Sequence, residues 1–271
     1  RGRNSGVAAL ARLSGTPDFV QFVDGDCQIQ EGWISAAVEF LDGNPDYAVV
    51  CGRRRERFPE ASVYNQICDT EWATPVGEAR ACGGDSLMRL EAFRSVGGFN
   101  DGVIAGEEPE LCVRLRKAGW KIMRLDHEMT LHDAAMTRFS QWWKRTKRNG
   151  YAYAQGVALH GGPPENHWLR ESARGWLWAA VVPLLTVLAI AIFGPPGLGV
   201  LLLYAVLWIR TLRSTRHRCE SRRGAILWAT ACTIGKFPEL FGQLLFVARH
   251  CFGSRAQIIE YKSSRKEYQT G

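Results

Sequence analysis

Residues Gly175 to Gly194 form a run of 20 without one charged side chain, and about 20 apolar residues are what an α-helix needs to cross the hydrocarbon core of a bilayer. A chain with such a run must bury it in a large core or place it in lipid. Pro195-Pro196-Gly197 breaks the run, and Leu198 to Leu212 continues as a second apolar segment interrupted only by Arg210. The pattern predicts a transmembrane helical hairpin over 171–213. Arg170 and Arg174 precede it, and Arg210, Arg213, Arg216, Arg218, Arg222 and Arg223 crowd its other end. By the positive-inside rule both ends lie in the cytoplasm and the turn on the far side. Residues 225–248 are again apolar but carry Lys236, Pro238 and Glu239 in mid-segment, which suits an interfacial amphipathic helix better than a third span. Residues 214–271 therefore read as a basic loop, an amphipathic or third membrane helix, and a cytoplasmic tail. The expected location is a plasma or inner membrane, with residues 1–170 on the cytoplasmic side.

Charge divides along the same line. Residues 1–130 carry 15 Lys/Arg against 20 Asp/Glu, whereas 131–271 carry 19 against 7. The basic residues flank apolar spans, so membrane lipid is the predicted partner and nucleic acid is not. The tryptophans agree, since Trp142, Trp143, Trp168, Trp176 and Trp178 border the spans, where aromatic side chains sit at headgroup level. A hydrophobic share of 46% excludes a disordered chain. The eight cysteines form no C-x-x-C pair and no Cys/His spacing of a zinc site, which leaves reduced thiols. No basic-then-apolar leader is visible, and a start on Arg1 suits a chain that begins within a longer protein.

Ahead of the hairpin the pattern is α/β. Gly6 to Leu13 suits a short helix, and Phe19 to Val23 is a β-rich run after the turn-forming Gly15-Thr16-Pro17-Asp18. Trp33, Ala36, Ala37, Phe40 and Leu41 repeat at helical spacing, and Tyr47 to Cys51 reads as another strand. A further helix is expected from about Pro109, with Leu111, Leu115 and Ala118 on one face and Gly119 as its stop, followed by a strand from Trp120 to Leu125. Strand, helix, strand implies an α/β sheet.

Three segments carry candidate chemistry. Asp24-Gly25-Asp26 ends the first apolar strand, and two carboxylates at a strand's C-terminal edge can turn toward one ligand, such as a divalent cation bridging diphosphate oxygens. A polar loop is the plain alternative. In Cys82-Gly83-Gly84-Asp85-Ser86 the paired glycines either let a ligand approach the backbone or only permit a tight turn. Gly106-Glu107-Glu108-Pro109-Glu110-Leu111 gathers carboxylates where a helix starts, which ordinary helix-dipole chemistry also explains.

In this order and spacing the segments resemble the family 2 glycosyltransferases, with their D-x-D, G-G and E-D-x-E-L-x-x-R-L pattern, through roughly residues 1–170. The resemblance implies an incomplete GT-A domain, a Rossmann-like mixed sheet, together with a nucleotide-sugar donor, a divalent metal (Mg²⁺ or Mn²⁺) and inversion at the anomeric carbon. Asp24 matches the aspartate near the donor ribose and Asp26 the metal ligand. Arg3, Asn4 and the glycine-rich Gly83, Gly84 and Asp85 match donor-binding segments. His132 falls where some members place a further metal ligand, with a surface histidine as the alternative. Glu108 stands where the family has its aspartate base, beside Glu107. Pro109 is expected at the first helical position, which makes Glu108 the N-cap, held ionised at neutral pH by the free amides while Glu107 and Glu110 raise its proton affinity. Gln141, Trp142, Trp143 and Arg145 stand near the Q-x-x-R-W of processive synthases, but the tryptophan is displaced and processive synthesis is not implied. Segments 236–244 and 258–262 are similar to the C-terminal parts of membrane-associated members. The implied acceptor is lipid-linked or another glycan at the membrane. The alternative is a non-catalytic membrane-anchored module of the same descent.

Overall fold

The expected sheet is present, and it is mixed. The computed structural model describes residues 2–10, 17–216, 219 and 221–253, which fall into two units: Arg1–Pro59, Cys68–Ala134 and Leu159–His167 in one, Glu60–Ile67, Ala135–Ala158 and Trp168–Gly271 in the other.

The first unit holds α1 (Gly2–Leu10), β1 (Phe19–Phe22), β2 (Cys27–Ile29), α2 (Trp33–Gly43), β3 (Tyr47–Glu56), the end of α3 (Val63–Trp72), β4 (Gly77–Glu78), β5 (Ser86–Arg89), α4 (Leu90–Ser95), α5 (Glu107–Lys117) and β6 (Lys121–His132). The strand order is β1-β5-β3-β6-β2, with β4 also on β6. Among the described residues β3 and β6 alone run parallel; the other pairs are antiparallel. Ala48, Val49, Val50 and Cys51 of β3 are wholly buried, as an unbroken apolar run must be in a strand covered on both faces. Trp33, Ala37 and Leu41 bury one stripe of α2 at i, i+4, i+8. Leu111, Cys112 and Leu115 bring α5 into the same core.

Several boundaries differ from the sequence expectation. The first helix begins at Gly2 rather than Gly6, and residues 11–16, its predicted end, lie outside the described residues. β3 continues beyond Cys51 through three arginines to Glu56, and the strand predicted to end at Leu125 runs on to His132, because β3 and β6 pair over their whole length. Helix α5 starts at Glu107, with Gly106 at the N-cap at φ 79°. Pro109 is thus its third residue, not its first, and is tolerated because first-turn amides have no intrahelical acceptor to lose. Gly119 stops the helix as predicted: at φ 90° it adopts the left-handed conformation that a side chain disfavours.

The second unit is helical: most of α6 (Phe139–His160), then α7 (Leu169–Trp176), a π-helical turn at Leu177–Val181 and α8 (Val182–Phe193), then a 3-10 segment Pro195–Leu201, α9 (Leu202–Thr215), α10 (Arg222–Ile234) and α11 (Lys236–Cys251). Among the described residues two helical stretches, Leu169–Phe193 of 25 residues and Pro195–Thr215 of 21, are long and apolar enough to cross a membrane. They meet at Gly194, and Gly197 packs so tightly on Ala189 and Ile190 that a Cβ there would lie 2.3 Å from the Ile190 amide nitrogen. Segment 225–248 forms two helices meeting at Gly235 rather than one. Segment 258–262 and Arg218 lie outside the described residues.

Candidate active site

Pairing of β1 with β5 sets Phe22 opposite Ser86, so the loops that follow β1 and precede β5 leave the sheet side by side. The Asp24 amide donates to Asp85 Oδ1 at 2.9 Å. Asp85 is fully buried and is held by Arg54 Nη2 at 2.8 Å and by the Thr130 hydroxyl at 2.8 Å. Burial opposes its ionisation, but Arg54, the Asp24 amide, Cys27 and Thr130 overcome that and hold its pKa below the usual value. Asp85 thus anchors the Asp24 loop from below. Gly84 is a glycine for a local reason: a Cβ would stand 2.6 Å from both Asp24 Oδ2 and Arg54 Nη2. Gly83, at φ 82°, makes the turn ahead of it.

The second meeting point is set by β2 and β6, whose register puts Cys27 opposite His132. His132 Nε2 comes within 3.1 Å of Asp26 Oδ1, and its buried Nδ1 has no hydrogen-bond partner among the described residues. Trp72 packs against the imidazole with centroids 4.6 Å apart, and Arg54 lies 5.6 Å from the Trp72 ring centroid. Asp26, Cys27 and His132 offer ligand atoms within 4.8 Å of one another. Burial, with Asp85 next, pushes the Cys27 thiol far above its ordinary pKa, so the pair fit for a hard divalent cation at neutral pH is one carboxylate oxygen and one imidazole nitrogen. Asp24, Cys27 and Asp85 also converge, but the Arg54 guanidinium already neutralises Asp85.

Arg3 ties these loops to helix α5. Its guanidinium pairs with Asp24 Oδ1 at 2.5 Å, with Glu107 at 3.3 Å and, closer still, with Glu108. Glu108 is buried. Burial first, and the neighbouring Glu107 second, push its pKa up to about 7 against the pull of Arg3. That corrects the expectation of an N-cap carboxylate fully ionised at neutral pH: Gly106 is the cap, and desolvation outweighs the helix amides. Glu110 takes no part. It is bound by Arg114 at 2.9 and 2.6 Å and by His160 at 3.0 Å, and these partners overcome burial to lower its pKa.

Asn4 clamps the backbone of Phe99 through both ends of its amide, at 2.8 and 3.0 Å, a structural arrangement. Gln141, Trp142, Trp143 and Arg145 belong to the second unit. Gln141 Oε1 accepts from the amides of Thr137 and Arg138 ahead of α6; Trp142 is buried, and Trp143 packs between Phe139 and Phe241. Sequence reasoning missed Arg54, Trp72, Thr130 and His160. Three consecutive arginines directly after an apolar strand were the one available signal, since a buried strand tolerates such charge only where carboxylates wait for it.

A family model described as the N-terminal domain of galactosyltransferase matches residues 68–138. The succinoglycan biosynthesis protein ExoA of Rhizobium meliloti is 43% identical over 163 residues, covering 46% of this chain and 49% of that one. The pre-mycofactocin glycosyltransferase of Mycobacterium tuberculosis is 27% identical over 170 residues, covering 58% and 34%. The chain thus spans a third to a half of the length of these relatives. A mannosyltransferase from Pyrobaculum calidifontis, solved with GDP-Man and Mn²⁺, superimposes with a TM-score of 0.48 at 18% identity, over 84% of this chain and 64% of that one. Over part of its length the chain is thus similar in sequence to glycosyltransferases, and its mixed sheet gathers the three motifs at one edge.

Proposed function

We propose that this chain carries the catalytic site of a membrane-anchored glycosyltransferase that moves one sugar from a nucleotide-sugar donor to a lipid-linked or glycan acceptor, with inversion at the anomeric carbon. The observation that carries this reading is the convergence of Asp24, Asp26, His132 and Glu108 at one sheet edge, from positions more than 100 residues apart. Asp26 and His132 would hold the divalent cation, Mg²⁺ or Mn²⁺, which when bound supplies positive charge to the diphosphate leaving group. Asp24, fixed through its amide by Asp85, faces the donor. Arg3 holds Asp24 and Glu108 in register with each other. Glu108, a carboxylate with its pKa near neutrality, takes the proton of the acceptor hydroxyl as that oxygen attacks. Direct displacement from an α-linked donor then yields a β-linked product. The full-length protein in lipid, offered UDP- and GDP-sugars, is expected to release nucleoside diphosphate in step with glycoside formation. Absence of release with every donor would sink the enzyme reading, and an α-linked product would sink inversion alone.

The two apolar stretches form the membrane anchor in this reading, with the basic ends in the cytoplasm. Gly197 sits at the turn but cannot carry a probe, because any side chain would collide with α8. Gly199 has open space around its Cβ position, and Ser214 is exposed. In intact cells Gly199→Cys is expected to react with an impermeant maleimide and Ser214→Cys to stay unlabelled. The opposite pattern would invert the topology.

A further inference from the structure

Helix α11 is amphipathic in the wrong sense for water. The polar residues in the middle of the helix face protein: Glu239 is 8% exposed and Gln243 1%, while Phe241, Leu244 and Val247 are 54, 41 and 46% exposed. Each buried polar group is matched. Lys236 Nζ lies 2.7 Å from Glu239, the Ser172 hydroxyl donates to Gln243 Oε1 at 2.6 Å, and Gln243 Nε2 donates to the Ser172 carbonyl at 3.3 Å. The helices approach through glycines. A Cβ on Gly242 would meet the Lys147 carbonyl of α6, one on Gly150 would meet the Glu239 carbonyl, and one on Gly175 would meet the Gln243 amide. A helix on a water-facing surface does the reverse, burying its apolar stripe and exposing its charges. Small residues at close contacts and hydrogen-bonded polar pairs within are how helices associate where the solvent is itself apolar.

We infer that α11 is embedded in lipid, with Phe241, Leu244 and Val247 against acyl chains and the Lys236–Glu239 and Ser172–Gln243 pairs sealed on its protein side. The occupant of the exposed face is lipid rather than another protein because α11 packs along α7, the opening of the 25-residue stretch whose own apolar side chains, Leu184, Val187 and Ile192 among them, are 59, 63 and 71% exposed. The apolar surfaces of α8 and α11 therefore belong to one helical unit. Arg222 and Arg223 at the start of α10, and Arg249 near the end of α11, stand at helix ends, where long basic side chains reach headgroups.

This inference rests on the reading of Leu169–Thr215 as a membrane hairpin, so its test carries a probe in each. Nitroxides are attached at Phe241→Cys and Leu244→Cys, and separately at Leu188→Cys, in a protein whose Cys27, Cys232 and Cys251 are serine. The protein is reconstituted in phosphatidylcholine–phosphatidylglycerol vesicles. Collision with oxygen is expected to exceed collision with a water-soluble nickel chelate several-fold at all three sites. Chelate access at 241 and 244 with Leu188 still lipid-like would place α11 in water and overturn the inference alone. Chelate access at Leu188 as well would remove it together with the hairpin. Dipolar broadening between two labelled copies would assign the face to a protein contact and overturn it too. A diazirine phospholipid photolysed with the wild-type protein reads the same face without substitution: labelled peptides from 240–248 are expected, and labelling confined to 177–212 overturns the inference.

Discussion

The Glu108→Gln variant is expected to transfer sugar about 10² to 10⁴ times more slowly than wild type, the usual loss when a general base is removed, while donor binding is nearly unchanged. The structure removes the main competing explanation. Had Glu108 been the N-cap, its loss would have cost about 0.5 to 2 kcal/mol of stability; the cap is Gly106, and Glu108 lies within the first turn. Its pKa, pushed up to about 7 by burial and then by Glu107, sets two pH dependences. For activity, the proposed role requires Glu108 ionised, so wild-type turnover is expected to rise with pH and reach half its plateau near 7, and the glutamine variant to lose that limb. For stability, the folded chain keeps a proton between the ordinary carboxylate value and about 7 that the unfolded chain has released. Stability from this group is therefore present at low pH and lost as pH rises through that window. Glutamine removes the loss, and Arg3 retains Asp24 and Glu107 as partners. The variant should accordingly melt no lower than wild type at pH 8. A variant with near-wild-type turnover, or one inactive only because it unfolds, would pass the role to Glu107.

The Asp26→Asn variant is expected to lose turnover by roughly 100-fold or more, since metal-assisted charge stabilisation is worth several kcal/mol and each 1.36 kcal/mol is tenfold. Asparagine keeps the size of the side chain but not its charge, and beside His132 the carboxylate is the one anionic member of the pair. The fold should survive, because what Asp26 contributes to the sheet is its carbonyl, which accepts from the Asp133 amide at 3.1 Å. Binding of Mn²⁺, followed by its paramagnetic resonance signal in the presence of nucleoside diphosphate, gives a reading independent of turnover and is expected to weaken in parallel. Wild-type activity that persists in EDTA would take the metal out of the mechanism, and wild-type Mn²⁺ affinity in the variant would move the site away from Asp26.

Features that depend on local periodicity were legible in advance. The buried stripe of α2, the glycine stop after α5 and the two apolar stretches all follow from a 3.6-residue repeat, a left-handed glycine or a 20-residue length. The order of the three motifs was also legible and brought the glycosyltransferase resemblance with it. Boundaries were read less well where pairing rather than propensity decides: β3 runs through Arg53-Arg54-Arg55 because β6 lies alongside and Asp85 and Asp69 receive the charges.

The sequence by itself determined which residues could do chemistry and that the chain divides into an α/β part and a part rich in apolar helices. Only the tertiary structure decided which of those residues share a site. Glu107, Glu108 and Glu110 look alike along the chain, yet Arg3, 104 and 105 positions away, takes the first two, while Arg114 and His160 take the third. Proton affinity depends on desolvation and on charges that the fold brings near, and neither is a property of the neighbours in sequence. His132 likewise stands beside Asp26 through a strand register that no local pattern encodes. The polarity of α11 could be read from its composition in either sense, and it was settled by glycines on two other elements, Gly150 and Gly175, which let its polar side pack inward.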